Sequence, residues 1–436
     1  MKKIALFVGC LLLLSSGAYA QDKEALKAQK EAQKEAKSSL KKAGINYEMS
    51  IPNAQYGRKE TNFEKLATAL PLIEVAMKSE YTNNEPETWK IAAQIQLEYY
   101  KKLENESKAD PDNETLRQEY IDCSEKLATY CVKYDSLLSL DAKEKPAVKE
   151  KDHKQYQIMA VNPTLQLLQT AQNASNSDDQ AELAKGVKYA ELFLNIMEKS
   201  NLMKDFQNEN LSSWITYAKA FRAQSYLNLK DAPEAKIVEA YKELMKTNYK
   251  GIAYQSLANY YSQKGDKNNQ NKYLEEGIEA LKGDAEQKDL RANFVSILMQ
   301  NYFQADNVEG FKRAANVLKT DYPDNDNAVN AYLMEGQMAF EAKDFLKAKN
   351  IFLEACQKYP DEPKCLLMAA RSSWMYAMNN GSKKADIDET IALFKNVEAQ
   401  QPDMPEMWGE SLYVLYNNTQ QTALAAKYKK YYKAGK

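Results

Sequence analysis

GQMAFEAKDFLKAKNIFLEACQKYP, residues 336–360, holds five positions from which the rest of the chain can be read. They are Gly336, Ala348, Phe352, Ala355 and Pro360. A small residue in one segment and two in the next let a pair of antiparallel helices approach closely. The aromatic ring between the alanines fills the gap. The proline, which lacks an N–H and crowds the preceding turn, ends the second helix.

Outward from this unit the same kinds of residue return at similar intervals. Residues 251–280 carry Ala258, Tyr261, Gly265, Leu274 and Gly277, and residues 288–323 carry Tyr302 and end at Pro323. In that second unit Phe311 and Ala315 exchange the small and aromatic places. Residues 363–402 keep Phe394 and Pro402 around an inserted NNGSKKAD turn, and Trp408 opens a final pair closed by the basic KYKKYYKAGK. Upstream, Trp214, Tyr217, Ala218 and Phe221 form one helix start, and Trp89, Ala92 and Ala93 another. This pattern resembles the tetratricopeptide repeat, over roughly 61–436 and most strongly over 251–360. The resemblance implies an all-α, right-handed superhelix of helical hairpins, with the polar C-terminal helices capping the array.

The start of the chain predicts export. Lys2 and Lys3 precede the apolar IALFVGCLLLL and the small-x-small triplet Ala18-Tyr19-Ala20, as in a secretory signal peptide over 1–20 cleaved before Gln21. Cys10 faintly resembles a lipoprotein box, with a poor Phe7 and four leucines after the cysteine. Residues 21–60 read as a charged mobile leader and linker, because 21–43 is Ala/Lys/Glu/Gln-rich and nearly free of large apolar side chains. A first helical region then spans 61–140, with Pro71 interrupting its first helix. The charge-dense 141–155 is expected to be a linker and hinge, and 156–436 the main repeat array. The signal peptide, the TNNEPETW step into a Trp helix, and DSLLSLD before a Lys/Pro linker are together similar to secreted tetratricopeptide-repeat proteins of the Bacteroidetes type. Asp135-Ser136-Leu137 resembles the short O-glycosylation motif of such proteins.

Composition narrows the chemistry. A net charge of −2 with both signs mixed argues against nucleic acid, which needs a basic face. No stretch of the mature chain is apolar enough to be expected to cross a membrane. Only 14 Gly and 12 Pro in 436 residues suits long helices over loops. His153 is the sole histidine, expected to be solvated in the charged linker, so neither a His-rich metal site nor Ser-His or Cys-His catalysis is expected. There is no glycine-rich phosphate loop. The expectation is therefore no enzyme, no cofactor and no metal. Cys123 and Cys131 lie about 12 Å apart along one helix, too far to bond. Cys356 and Cys365 flank the YPDEP turn, where a disulfide and two packed free thiols are both open readings, the free thiols preferred.

In the family resembled, the first helix of each hairpin lines the binding groove. That places Gln255, Asn259 and Gln263, then Asn293, Ser296, Gln300 and Gln304, then Asn330, Leu333 and Gln337 on one face, with Phe303 and Phe340 beside them. The face is amide-rich and lacks the Lys and Arg that clamp a C-terminal carboxylate. Amides can pair with the backbone of an extended peptide while the rings take apolar side chains. The expected function is a non-enzymatic scaffold of the cell envelope, exported to the periplasm or the outer membrane, holding another protein or peptide. The alternative is a nutrient- or glycan-binding component of an outer-membrane uptake system, which would need lipidation and exposed tryptophans.

Overall fold

The computed structural model describes residues 2–432, with side chains from Ala25 onward. Among them there is no strand beyond one isolated bridge, Asn53 with Arg58. The chain divides into two units, 1–247 and 248–436. Each is built of helices that pack on their neighbours in sequence.

The first unit holds α1 (Lys2–Ser50), α2 (Phe63–Ala67), α3 (Leu70–Lys78), α4 (Pro86–Ala109) and α5 (Glu114–Leu140). It continues with α6 (Pro146–Ser175), α7 (Gln180–Leu194), α8 (Leu211–Asn228) and α9 (Glu234–Leu244). The expected signal peptide falls where no side chain is described. The expected leader is corrected in part: it is helical to Ser50, Ala36 is buried, and Leu40 and Ala43 are buried in a cluster containing Ile73, Ala76 and Ile91. Positions 36, 40 and 43 form one helical stripe. Two of the three are alanines, so the stripe carries little hydrophobicity, yet it lets the helices approach closely. Pro71 does divide its helix, since α2 stops at Ala67 and α3 restarts at Leu70 with the proline in its first turn.

The expected linker over 141–155 is also corrected. Only 141–145 separates α5 from α6, which begins at Pro146. Proline suits a first helical position because its missing N–H has no partner to lose there. The charges of this segment read as a loop. They occupy the solvent side of a helix whose other side buries Tyr156, Ala160, Leu167 and Ala171. These join Leu127, Cys131, Tyr189 and Phe193 in one core shared by α4 to α8.

The second unit holds α10 (Lys250–Gln263), α11 (Lys267–Ala280), α12 (Lys288–Gln304), α13 (Val308–Asp321) and α14 (Asp326–Glu341). It ends with α15 (Phe345–Lys358), α16 (Pro363–Asn379), α17 (Lys384–Gln400), α18 (Gly409–Asn418) and α19 (Thr422–Tyr428). Four of its hairpins turn in the same way. A left-handed residue (Gly265, Asp306, Lys343 or Gln420) is followed by one whose N–H returns to the carbonyl five residues back, at Tyr261, Tyr302, Ala339 or Tyr416. In three of the four, that following residue also caps the next helix: Asp266, Asn307 and Asp344 accept from backbone N–H groups through their side chains. The architecture is therefore an all-α helical-repeat solenoid of tetratricopeptide-like hairpins.

The residues that prompted this reading do the packing. A Cβ on Gly336 would fall 2.6 Å from the Phe352 ring, and one on Gly277 would fall 2.6 Å from that of Phe294. Phe352, Ala348 and Ala355 are fully buried. α15 stops at Lys358, two residues before the exposed Pro360.

Candidate functional site

The face expected to bind belongs to α10, α12 and α14. Asn259, Gln263, Asn293 and Gln300 are exposed on it, and Asn330 and Gln337 are half-buried. Between α12 and α14 the amides interlock. Asn327 donates to Asn293 at 2.8 Å, and Ser296 donates to Asn327 at 3.3 Å. Gln337 donates to Glu341 one turn on, at 2.7 Å. Asn259, Gln263, Gln300 and Asn330 make no side-chain hydrogen bond to the described residues, and the first three are exposed.

Two clefts bracket the α12–α14 face. Near the helix N-termini, Lys288, Asp289, Asn293, Tyr322 and Asn325 to Asn327 border a polar space of about 420 Å³. Near the C-termini, Tyr302, Phe303, Val308, Phe311, Met338 and Glu341 border one of about 220 Å³. Its apolar side includes Val308, 42% exposed. Tyr302 donates to Glu275, and burial together with that carboxylate pushes its phenol up to about 12, so it stays a donor.

The two phenylalanines are less free than the sequence implied. Phe303 packs on Phe311 with ring centroids 6.0 Å apart, and Phe340 meets Phe345 edge-on at 5.1 Å. Both belong mainly to their own hairpins, although Phe303 keeps an edge in the second cleft. Sequence reasoning missed Asn327, Val308 and Met338. Asn327 stands in the first turn of α14, ahead of the positions aligned with the repeat, and the other two are apolar residues at hairpin ends.

Two further groups lie apart from this face. His153, expected in water, is held on both sides. Its Nδ1 is 2.6 Å from the buried Asp135, and its Nε2 is 3.0 Å from Asp205. Cys356 and Cys365 are unbonded and pack in one apolar cluster with Tyr332. The neighbouring Cys365 holds the Cys356 thiol below its ordinary range, and Cys356 joins burial in pushing Cys365 up. Cys123 and Cys131 are buried and free.

No protein family matches the sequence, and no curated protein matches it. Among solved structures it is similar to yeast Tom70, with 11% identity over 89% of this chain and 91% of that one, at a TM-score of 0.31. The tetratricopeptide domain of P58(IPK) matches with 13% identity over 88% of this chain and 99% of that one, at 0.24. A circular tandem repeat protein with novel repeat topology matches with 14% identity over 91% and 95%, also at 0.24.

Proposed function

We propose that the protein is a non-enzymatic scaffold that holds an extended segment of another protein across the α12–α14 face. The observation that carries this reading is the row of amides with unused hydrogen-bonding capacity, bracketed by a polar cleft and a partly apolar one. A peptide in extended form offers one N–H and one C=O per residue, which amide side chains can meet from either end. A side chain of the same peptide can enter the space between Phe303, Val308 and Met338. The proposal includes export to the cell envelope, with the signal sequence over 1–20 removed, in the manner of secreted tetratricopeptide-repeat proteins. N-terminal sequencing of the protein recovered from the envelope would begin at Gln21 on this reading.

The glycan-binding alternative draws no support from the tryptophans. Trp89 and Trp408 donate their indole N–H groups to backbone carbonyls at Asn83 and Gln401, and Trp214 and Trp374 pack on buried cores. Replacing Asn259, Gln300 and Gln337 together by alanine is expected to leave the melting temperature unchanged and to weaken partner capture in envelope crosslinking. Undiminished capture by the triple variant would move the binding surface elsewhere.

A further inference from the structure

A second cleft, of about 240 Å³, opens in the first unit between the end of α7, the middle of α8 and the face of α9. Its wall changes character where α7 ends. The five residues Asn195–Lys199 wind as a π-turn, a widened turn that in proteins concentrates at functional sites. The π-turn buries Ile196 and Met197 while Asn195 and Lys199 border the cleft.

The lining is almost wholly polar and carries both signs: Lys199, Arg222 and Lys236 against Glu191, Glu239 and Glu243. Several of these groups are only partly satisfied. Arg222 is 91% buried, spends one terminal nitrogen on Glu243 at 2.7 Å, and leaves its Nε without a partner. Lys199 makes no ion pair with any described residue. On the opposite side Glu191 accepts from Tyr226 at 2.8 Å through one oxygen, and Glu239 pairs with Lys236 only at the surface, at 3.1 Å.

We propose that this cleft binds a small zwitterion of the amino-acid or dipeptide class, its carboxylate against Lys199 and Arg222 and its ammonium against Glu191 and Glu239. An apolar ligand would desolvate this charged lining and offer Lys199 nothing in return. A simple anion would meet three carboxylates. A molecule carrying one charge of each sign answers both walls. The space corresponds to about eight waters at ~30 Å³ each, the scale of a free amino acid or a dipeptide and not of a folded partner.

Isothermal titration of the full chain with L-alanine, L-lysine, L-glutamate and alanyl-alanine tests this, with acetate, methylamine and inorganic phosphate as single-charge controls. At least one zwitterion is expected to bind saturably. Its affinity should fall about tenfold in Lys199→Ala and in Glu239→Gln, each the loss of a charge-assisted contact. Both side chains are exposed, so both variants keep the fold. A preference for alanyl-alanine over the free amino acids would assign the dipeptide as the source. No heat from any zwitterion at millimolar concentration would overturn the proposal. So would binding unchanged in both variants, or acetate or phosphate binding as tightly as the zwitterions.

Discussion

A Cβ built on Gly336 would fall 2.6 Å from both Cε1 and Cζ of Phe352, a ring with no exposed surface and nowhere to swing. Gly336→Leu must therefore part α14 from α15. The expected cost is at least about 1–3 kcal/mol, read as a lower melting temperature. Trimming the ring in a Gly336→Ala, Phe352→Leu double variant should recover part of the loss suffered by Gly336→Ala alone, since the two positions share one space. His153 gives a second prediction at this scale. Burial opposes its charge, but the hydrogen bonds to Asp205 and Asp135 outweigh that and hold the imidazole above its ordinary range. Asp205 is in turn held below the usual carboxylate range, chiefly by His153. On the same helix Asp152 pairs with Lys90 of α4 at 3.7 Å, and Tyr134 donates to Asp152 at 2.5 Å. A raised histidine stabilises the fold fully below its unfolded value of about 6.5, and that contribution fades as pH rises through the higher folded value. The lowered Asp205 contributes above its ordinary range and fades as pH falls through its folded value. The stability difference between the natural protein and His153→Gln should therefore be largest between about pH 4.5 and 6.5 and shrink on both sides. A difference that is flat with pH, measured by thermal melts, would mean that the bridge carries no charge.

The hairpin is the scale at which the chain was most legible. Gly336, Phe352 and Gly277 announced close crossings because only a missing side chain admits a ring at that distance. Less visible were the turns. Asp306, Lys343 and Gln420 adopt the left-handed conformation that glycine takes at 265, so the recurring turn is fixed by backbone hydrogen bonds that leave no residue signature. The same limit hid the docking of α1, whose buried stripe is two alanines and one leucine, and the course of α6, whose dense charges masked a helix start at Pro146. In the candidate groove the amides were legible from the repeat spacing. The packing of Phe303 and Phe340 was not, because it depends on Phe311 and Phe345 in the following helices. Cys356 on α15 and Cys365 on α16 belong to this scale too. The two thiols share one cluster beside Tyr332, so an added mild oxidant should take two electrons and two protons from the pair and close a disulfide between the helices. Mass spectrometry of the unreduced digest should show these two peptides joined, with Cys123 and Cys131 unlinked. The closed loop is short, so the gain in stability should not exceed about 3 kcal/mol.

Within the second unit, each helix meets mainly the one before it and the one after it, so damage there should stay local. In Gly336→Ala, amide exchange is expected to quicken in α14, α15 and the helices adjoining them. The amides of α4 to α6, in the other unit, should keep their protection. Exchange rising evenly along the chain would instead mean a single cooperative block. The same succession of contacts has a bearing on folding. No hairpin of the second unit waits for a distant partner before it can close, since the ring that seals Gly336 is carried by the very next helix. Pairings this close in sequence form quickly and need no long loop to be drawn in. The second unit can thus fold in chain order, each helix finding its seat on the one already placed.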